Sequence, residues 1–215
     1  MDGGSTEFGS EYAYRSGGAT HAHAYLVKPV LDMLARHAPP GTRAAFDLGC
    51  GNGSFARALL DANWDVTGVD PSRSGIEMAR LHAPSARFEV ASAYDDLADR
   101  FGTYPVVTCL EVIEHLYDPR SALQTLNTLL RPGGVAVIST PYHGYLKNVV
   151  LAVTGKLDDH FTALWDHGHI KFFSIRTLSR LMEQVGLIAI EWKRVGRIPA
   201  LAKSMIVVVK RSTDS

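Results

Sequence analysis

Cysteine, net charge and long apolar stretches are what this chain lacks. Its 215 residues include two cysteines, Cys50 and Cys109, one in a glycine-rich loop and one in an apolar run. That pattern excludes a disulfide-stapled secreted fold and suits a reducing cytoplasm. Twenty-two basic residues balance twenty-two acidic ones, so no broad field draws the chain to nucleic acid or to an anionic bilayer. No apolar run reaches the ~20 residues of a transmembrane helix, and no secretory signal is expected at the start. Internal repeats and low-complexity segments are missing too. What remains is a length that suits one α/β domain with a buried core. Residues 1–10 have linker composition and read as a tag or a disordered tail, and residues 11–41 read as an N-terminal helical cap on the main domain at 42–215.

The informative stretch is Ala44 to Gly53, Ala-Ala-Phe-Asp-Leu-Gly-Cys-Gly-Asn-Gly. Ala44 to Phe46 reads as the end of a buried strand. Glycines at 49, 51 and 53 allow a tight turn and a close approach of the backbone to a ligand. Ser54 is expected to cap the helix that follows. A second strand, Asp65 to Val69, ends in Asp70. An acidic residue about 20 positions beyond a glycine turn is placed to accept hydrogen bonds from ribose hydroxyls. The spacing is not that of a dinucleotide fingerprint, and Asp47 would repel a nearby phosphate but attract an ammonium group. Asp47-Leu48-Gly49-Cys50-Gly51-Asn52-Gly53, followed by Val69-Asp70, resembles the cofactor motif of class I S-adenosyl-L-methionine-dependent methyltransferases.

The order of elements agrees with that resemblance. A helix over His21 to His37, kinked or broken at Pro29, precedes strands at Arg43–Phe46, Asp65–Asp70, Arg87–Val90, Val106–Leu110, Val135–Ser139, Ile188–Trp192 and Met205–Val209. Helices lie between them: one capped by Ser72, a short acidic one over Tyr94–Arg100, one over Ser121–Leu130, and one capped by Ser174. Strands alternating with helices predict a Rossmann-like α/β sheet with helices on both faces. The resemblance implies seven strands, mostly parallel, with the last antiparallel. Residues that follow strands gather on one rim of such a sheet. The expected cofactor contacts are therefore Asp47, Gly49, Cys50, Gly51, Asp70, Pro71, Ser92, Ala93, Tyr94, Leu110 and Glu111, with Tyr14 folding over from the N-terminal side. Cys50 reads as a small loop residue rather than a nucleophile. Replacing Asp70 by alanine is expected to weaken cofactor binding and leave the fold intact.

Thr108-Cys109-Leu110-Glu111-Val112-Ile113-Glu114-His115-Leu116-Tyr117-Asp118-Pro119 is similar to the matching segment of ubiquinone-biosynthesis O-methyltransferases, as are Arg131-Pro132-Gly133-Gly134 and Ser139-Thr140-Pro141. The resemblance implies a divalent ion, magnesium, on Glu111, Glu114 and His115. The alternative is that these residues only orient the cofactor and the turn. The chain departs from that group near its N-terminal helix, where Thr20-His21-Ala22-His23 stands in place of a cofactor-contacting arginine.

Residues 141–173 are too long for a simple connection and read as a lid insertion over the acceptor. Leu146 to Val153 forms an apolar helix that could rest on a membrane surface, with Lys147 and Lys156 flanking it. Histidines crowd the segment. His143 and His169 are the expected general bases, because imidazole accepts protons near neutral pH. Tyr142, His143, Tyr145, Trp165, His167 and His169 are the expected acceptor wall, with Phe172 beside them. The implied function is methyl transfer from S-adenosylmethionine to a small molecule, a phenolic or quinone-precursor oxygen first. Nitrogen or carbon methylation of a specialised metabolite is the alternative, and a non-catalytic cofactor-binding protein the remote one. A nucleic-acid substrate is not expected.

Overall fold

A computed structural model describes residues 23–161, 163–165 and 168–212. Seven strands form one sheet: β1 (Ala44–Leu48), β2 (Asp65–Asp70), β3 (Arg87–Val90), β4 (Tyr104–Leu110), β5 (Leu130–Pro141), β6 (Leu187–Val195) and β7 (Ser204–Arg211). Their order is β3-β2-β1-β4-β5-β7-β6. The first five pair in parallel, while β7 runs antiparallel to both β5 and β6. The order reverses between β1 and β4, and ligands of open α/β sheets sit beyond the strand ends at such a switch.

Helices cover both faces. α1 (His23–His37), α2 (Ser54–Asp61) and α3 (Arg73–His82) pack on one face through Leu26, Val30, Met33, Phe55, Leu59 and Ile76. On the other, α4 (Leu97–Phe101), α5 (Pro119–Leu129) and α8 (Ile175–Glu183) bury Leu97, Leu123, Leu126, Leu178 and Met182. The central strands are therefore apolar on both sides, as a parallel sheet requires. Two further helices, α6 (Tyr145–Val153) and α7 (Leu157–Phe161), lie between β5 and α8.

Several expected boundaries move, each for a local reason. α1 continues through Pro29 instead of breaking there. The buried face of Leu26, Val30, Met33 and Leu34 holds the helix together across the missing donor. Ser54 does not cap α2. Gly53 holds that position at φ 77°, and the Ser54 amide donates to the Asn52 side chain at 3.3 Å. The helix expected over Tyr94–Arg100 shrinks to α4. The Asp95 carboxylate accepts the Ser92 amide at 2.9 Å, and such side-chain-to-backbone bonds compete with a helix start. β4 begins two residues early, with Pro105 at a register shift opposite the Arg131–Gly134 turn, which β5 absorbs. Ser72 and Ser174 do cap α3 and α8, the latter through a capping box with Thr177.

Candidate functional site

The loops after β1, β2, β4 and β5 meet on the rim of the sheet. After β1, Gly49, Gly51 and Gly53 all have positive φ, which side-chain-bearing residues rarely adopt. Space excludes a side chain as well: a Cβ on Gly49 would lie 2.4 Å from Val112 Cγ2, and one on Gly53 would lie 2.8 Å from the Ala79 backbone. The amides of Gly49 and Cys50 both donate to the Val69 carbonyl, at 2.8 and 3.0 Å. The turn is thus pinned to the end of β2.

Asp70 completes the pinning. One carboxylate oxygen accepts the Gly51 amide and the other the Ser72 amide, each at 2.9 Å. The carboxylate therefore braces the turn in addition to any ribose role. The expectation that an alanine there would leave the fold intact does not follow from this geometry. Pro71 is exposed beside it.

Asp47 is different. Only 2% of it is exposed. Oδ1 accepts the Thr108 hydroxyl at 2.7 Å, while Oδ2 is buried with no partner among the described residues. Burial lifts its pKa to about 6, against the opposing Thr108 hydrogen bond. An orphaned carboxylate oxygen beside a glycine-rich turn fits the ammonium of an amino-acid-like ligand, as S-adenosylmethionine has. Cys50 lies in the same loop. Burial raises its thiol well above the ordinary value, so it stays protonated and is no nucleophile.

After β3, the Tyr94 amide donates to Ser92 Oγ at 3.2 Å, and the Tyr94 hydroxyl accepts the Asp118 amide at 3.2 Å. Tyr94 therefore bridges the loops after β3 and β4. Ala93 is buried and Leu110 half-buried at the same rim.

Glu111 follows β4 with φ 55°, strain of the kind that persists where neighbours over-determine the backbone. Its amide donates to the Ser139 carbonyl and hydroxyl, each at 3.1 Å. Its carboxylate accepts Ser139 Oγ at 2.8 Å and Ser204 Oγ at 3.2 Å. Ser204 in turn lies 3.2 Å from the Tyr25 hydroxyl on α1. Burial raises the pKa of Glu111.

Glu114 is wholly buried; neither carboxyl oxygen makes a well-aligned hydrogen bond among the described residues, and the Thr140 hydroxyl is the side chain close enough to favour its charged form. Burial and the nearby Glu111 push its pKa up. Ligand atoms of Glu114, His115 and His169 lie within 4.8 Å of one another. The expected metal trio is thus only partly assembled: Glu111 is engaged by serines, and His169 joins Glu114 and His115 instead. The orphaned Glu114 oxygens fit a cation. One carboxylate with two imidazoles is a donor set that suits zinc, manganese or iron better than magnesium.

The segment after β5 divides the expected acceptor wall. His143 is 7% exposed, and neither ring nitrogen has a partner among the described residues. Its ring lies parallel to Phe161 at 5.8 Å and edge-on to Phe172 at 5.0 Å. Trp165 packs against His115 and His169, at 6.1 and 5.4 Å. Burial lowers both His143 and His169 to about 4, so both are neutral acceptors at pH 7, but weak ones. Tyr142 is half-buried under the Arg194 guanidinium, 5.6 Å away. Tyr145 departs from expectation: it is 88% exposed on the outer face of α6 and walls nothing. Lys147 also departs, since it is buried and donates to the Tyr142 carbonyl at 2.8 Å rather than flanking a membrane-facing helix. Tyr14 and His167 lie outside the described residues.

Thr108, Ser139, Ser204 and Lys147 carry the site's internal bonding, and sequence reasoning missed the role of each. Ser204 sits 93 positions from Glu111 and leaves no local signal. Lys147 has one: it is the single charged residue of α6, in a helix dominated by apolar side chains.

This sheet order, with a glycine turn and two acidic residues at the switch, defines the class I S-adenosylmethionine-dependent methyltransferase fold. The chain belongs to the methyltransferase domain family, whose model matches residues 19–191. A ubiquinone biosynthesis O-methyltransferase of Thiobacillus denitrificans is 35% identical over 166 residues, 73% of this chain and 69% of that one. Its counterpart in Aromatoleum aromaticum is 33% identical over the same shares. Among solved structures, the magnesium protoporphyrin IX methyltransferase of Synechocystis with bound SAH superposes with TM-score 0.67 at 18% identity, covering 86% of this chain and 82% of that one. The 1,6-didemethyltoxoflavin-N1-methyltransferase of Burkholderia thailandensis, with S-adenosylhomocysteine bound, gives 0.63 at 16% identity, with 86% and 78% covered. No helix among the described residues is long and apolar enough to cross a membrane.

Proposed function

We propose that the chain transfers the methyl group of S-adenosylmethionine to an oxygen of a small, flat phenolic or quinone-precursor acceptor. The observation that carries the cofactor half is the Oδ2 of Asp47, buried and unpartnered among the described residues, beside a turn with no room for a side chain at Gly49 or Gly53. The acceptor half rests on the curated relatives named as ubiquinone biosynthesis O-methyltransferases and on the retained segment from Glu111 to Pro119.

Bound here, the cofactor supplies an electrophilic methyl group on a sulfonium. Asp47 holds its ammonium, Asp70 its ribose hydroxyls, and Ser92 to Tyr94 the adenine edge. The chain's main contribution is to hold the acceptor oxygen in line with that methyl group, since positioning is the largest lever on a displacement of this kind. His143, Phe161 and Phe172 exclude water from the acceptor face. The phenolic proton needs a base with a pKa near ambient pH. Glu111, raised by burial and fixed by two serines, meets that requirement better than His143 or His169 at about 4. Glu114, His115 and His169 would hold a divalent ion, which lowers the pKa of a bound phenol.

Tyr145, Leu146, Val149 and Val153 expose an apolar face on α6. That face supports contact with a membrane surface, from which a lipid-tailed acceptor could be reached. Two buried free thiols support a cytoplasmic setting.

Titration calorimetry with S-adenosylmethionine, followed by mass spectrometry of a reaction with catechol, tests the reading. Binding together with a mono-O-methylated product is the expected result. Binding with methylation of amines but not of phenols would move the assignment to an N-methyltransferase. Binding with no turnover of any acceptor would leave a cofactor-binding protein.

A further inference from the structure

We infer that Lys147 is the anchor for an anionic substituent on the acceptor, which makes the preferred substrate a phenolic acid rather than a neutral phenol. The inference rests on reading this rim as the acceptor site. Lys147 is 6% exposed on the inner face of α6. Its ammonium makes one hydrogen bond, to the Tyr142 carbonyl at 2.8 Å, and has two more protons to donate. No carboxylate among the described residues comes within ion-pair distance of it. A buried cation without a counter-ion is costly, so such groups are found paired or awaiting a charged ligand.

One candidate counter-ion among the described residues is already engaged. Glu111 lies within electrostatic reach of Lys147, but both of its oxygens accept serine hydroxyls instead. Among the described residues, the other groups that sense Lys147 are His143 and His160 beside it, and Arg197 in the exposed β6–β7 connection, none of them an acid. The His143 nitrogens and His160 Nε2 are buried without partners among the described residues. They border an aromatic surface formed by Phe161 and Phe172. A flat ring against the two phenylalanines, with a carboxylate on Lys147, would satisfy the charge and the apolar surface together. Burial lowers Lys147 to about 8, so it still carries its proton at pH 7.

The test compares 3,4-dihydroxybenzoate with catechol as ligands of the protein saturated with S-adenosylhomocysteine, by calorimetry at pH 7. The acid is expected to bind at least tenfold tighter than catechol. In Lys147→Met that ratio should fall to within twofold of unity, and Lys147→Arg should restore most of it. Thermal scans of the variants report folding separately. A wild-type protein that binds both equally, or a methionine variant that keeps the preference, overturns the inference. Catechol methylation is read in a separate assay. Its absence alongside Lys147-dependent binding of the acid would fault the proposed reaction and not the anion site.

Discussion

The loops after β1 and β2 and the loops after β4 and β5 share one rim but are made differently. After β1 and β2 the shape is a backbone shape. Three glycines with positive φ, two amides on the Val69 carbonyl and two more on Asp70 define it, and Asp47 Oδ2 is the lone buried side-chain oxygen there without a partner. After β4 and β5 the shape comes from side chains that meet from distant segments. Buried polar atoms of Glu114, Thr140, His143, Asn148 and His160 have no well-aligned partners there among the described residues. Buried polar atoms are normally satisfied, so a concentration of exceptions marks where ligands complete the structure. On the proposed reading, the cofactor half is preformed by its backbone, while the acceptor half is where a ligand would supply partners.

If the cofactor half is preformed by its backbone, the change that disturbs that backbone most should be the most damaging. Gly49→Ala places a Cβ 2.4 Å from Val112 Cγ2 at φ 80°. Overpacking and left-handed strain together should cost about 3 kcal/mol or more, a fall in Tm on the order of 10 °C. Affinity for S-adenosylmethionine should fall at least a hundredfold by calorimetry. Adding Val112→Ala should relieve the clash but not the strain, recovering only part of the stability. Full recovery would show that the turn needs space and not its backbone conformation.

Asp70 gives the next largest effect. Asp70→Ala removes the acceptor from two buried amides, roughly 2–4 kcal/mol by the usual cost of an unsatisfied donor. Asp70→Asn should fare little better, because one amide would then face an NH2 group. Thermal denaturation of the ligand-free proteins reads this directly. An unchanged Tm in both variants would return Asp70 to a purely ligand-binding role and weaken the contrast between the two halves.

The contrast also explains what the sequence could reveal. A glycine triplet and an acid after the next strand are local signals, because positive φ and strand-end position restrict residue choice on the spot. Ser72 and Ser174 were legible as caps for the same reason. The seven-strand order followed from alternation of apolar strands and amphipathic helices. Glu111, Glu114 and His115 were visible as a group, yet the replacement of Glu111 by His169 was not, since it depends on a residue 54 positions along the chain folding back onto His115. Tyr145 and Lys147 exchanged expected roles, the aromatic outward and the cation inward. Residue type alone does not set which face of α6 is buried when its apolar residues run all around it. Tyr94–Arg100 had helical composition, and the Ser92–Asp95 bond overrode it.

Asp47 separates stability from binding within the cofactor half. Its pKa rises on folding from 3.8 to about 6. A carboxyl raised in this way supports the fold fully below its unfolded pKa, and the contribution is lost as pH rises through about 6. At pH 8 the ionised group should therefore cost the ligand-free protein up to about 3 kcal/mol. Asp47→Asn should raise Tm at pH 8, leave it nearly unchanged at pH 4, and lose most cofactor affinity. A variant that is less stable at pH 8 would show that the carboxylate has an internal partner after all.

Glu114 should give the smallest effect on stability, and for that reason it tests the acceptor half most sharply. Burial and the nearby Glu111 raise its pKa and so favour the neutral carboxyl, and neither oxygen makes a well-aligned hydrogen bond among the described residues. Glu114→Gln then swaps one neutral, unpaired group for another of nearly equal size, with an expected change under about 1 kcal/mol. Two of the three conservative amide substitutions thus diverge: Glu114→Gln is tolerated by the fold, while Asp70→Asn is not. Thermal scans with zinc, manganese, magnesium or excess chelator add the ligand. A divalent ion should raise the Tm of the wild type and leave Glu114→Gln unmoved. No response of the wild type to any ion would assign the Glu114 oxygens to the acceptor instead. A large loss of stability in the variant would mean that the acceptor half is preformed too, and that its unpartnered atoms belong to the fold.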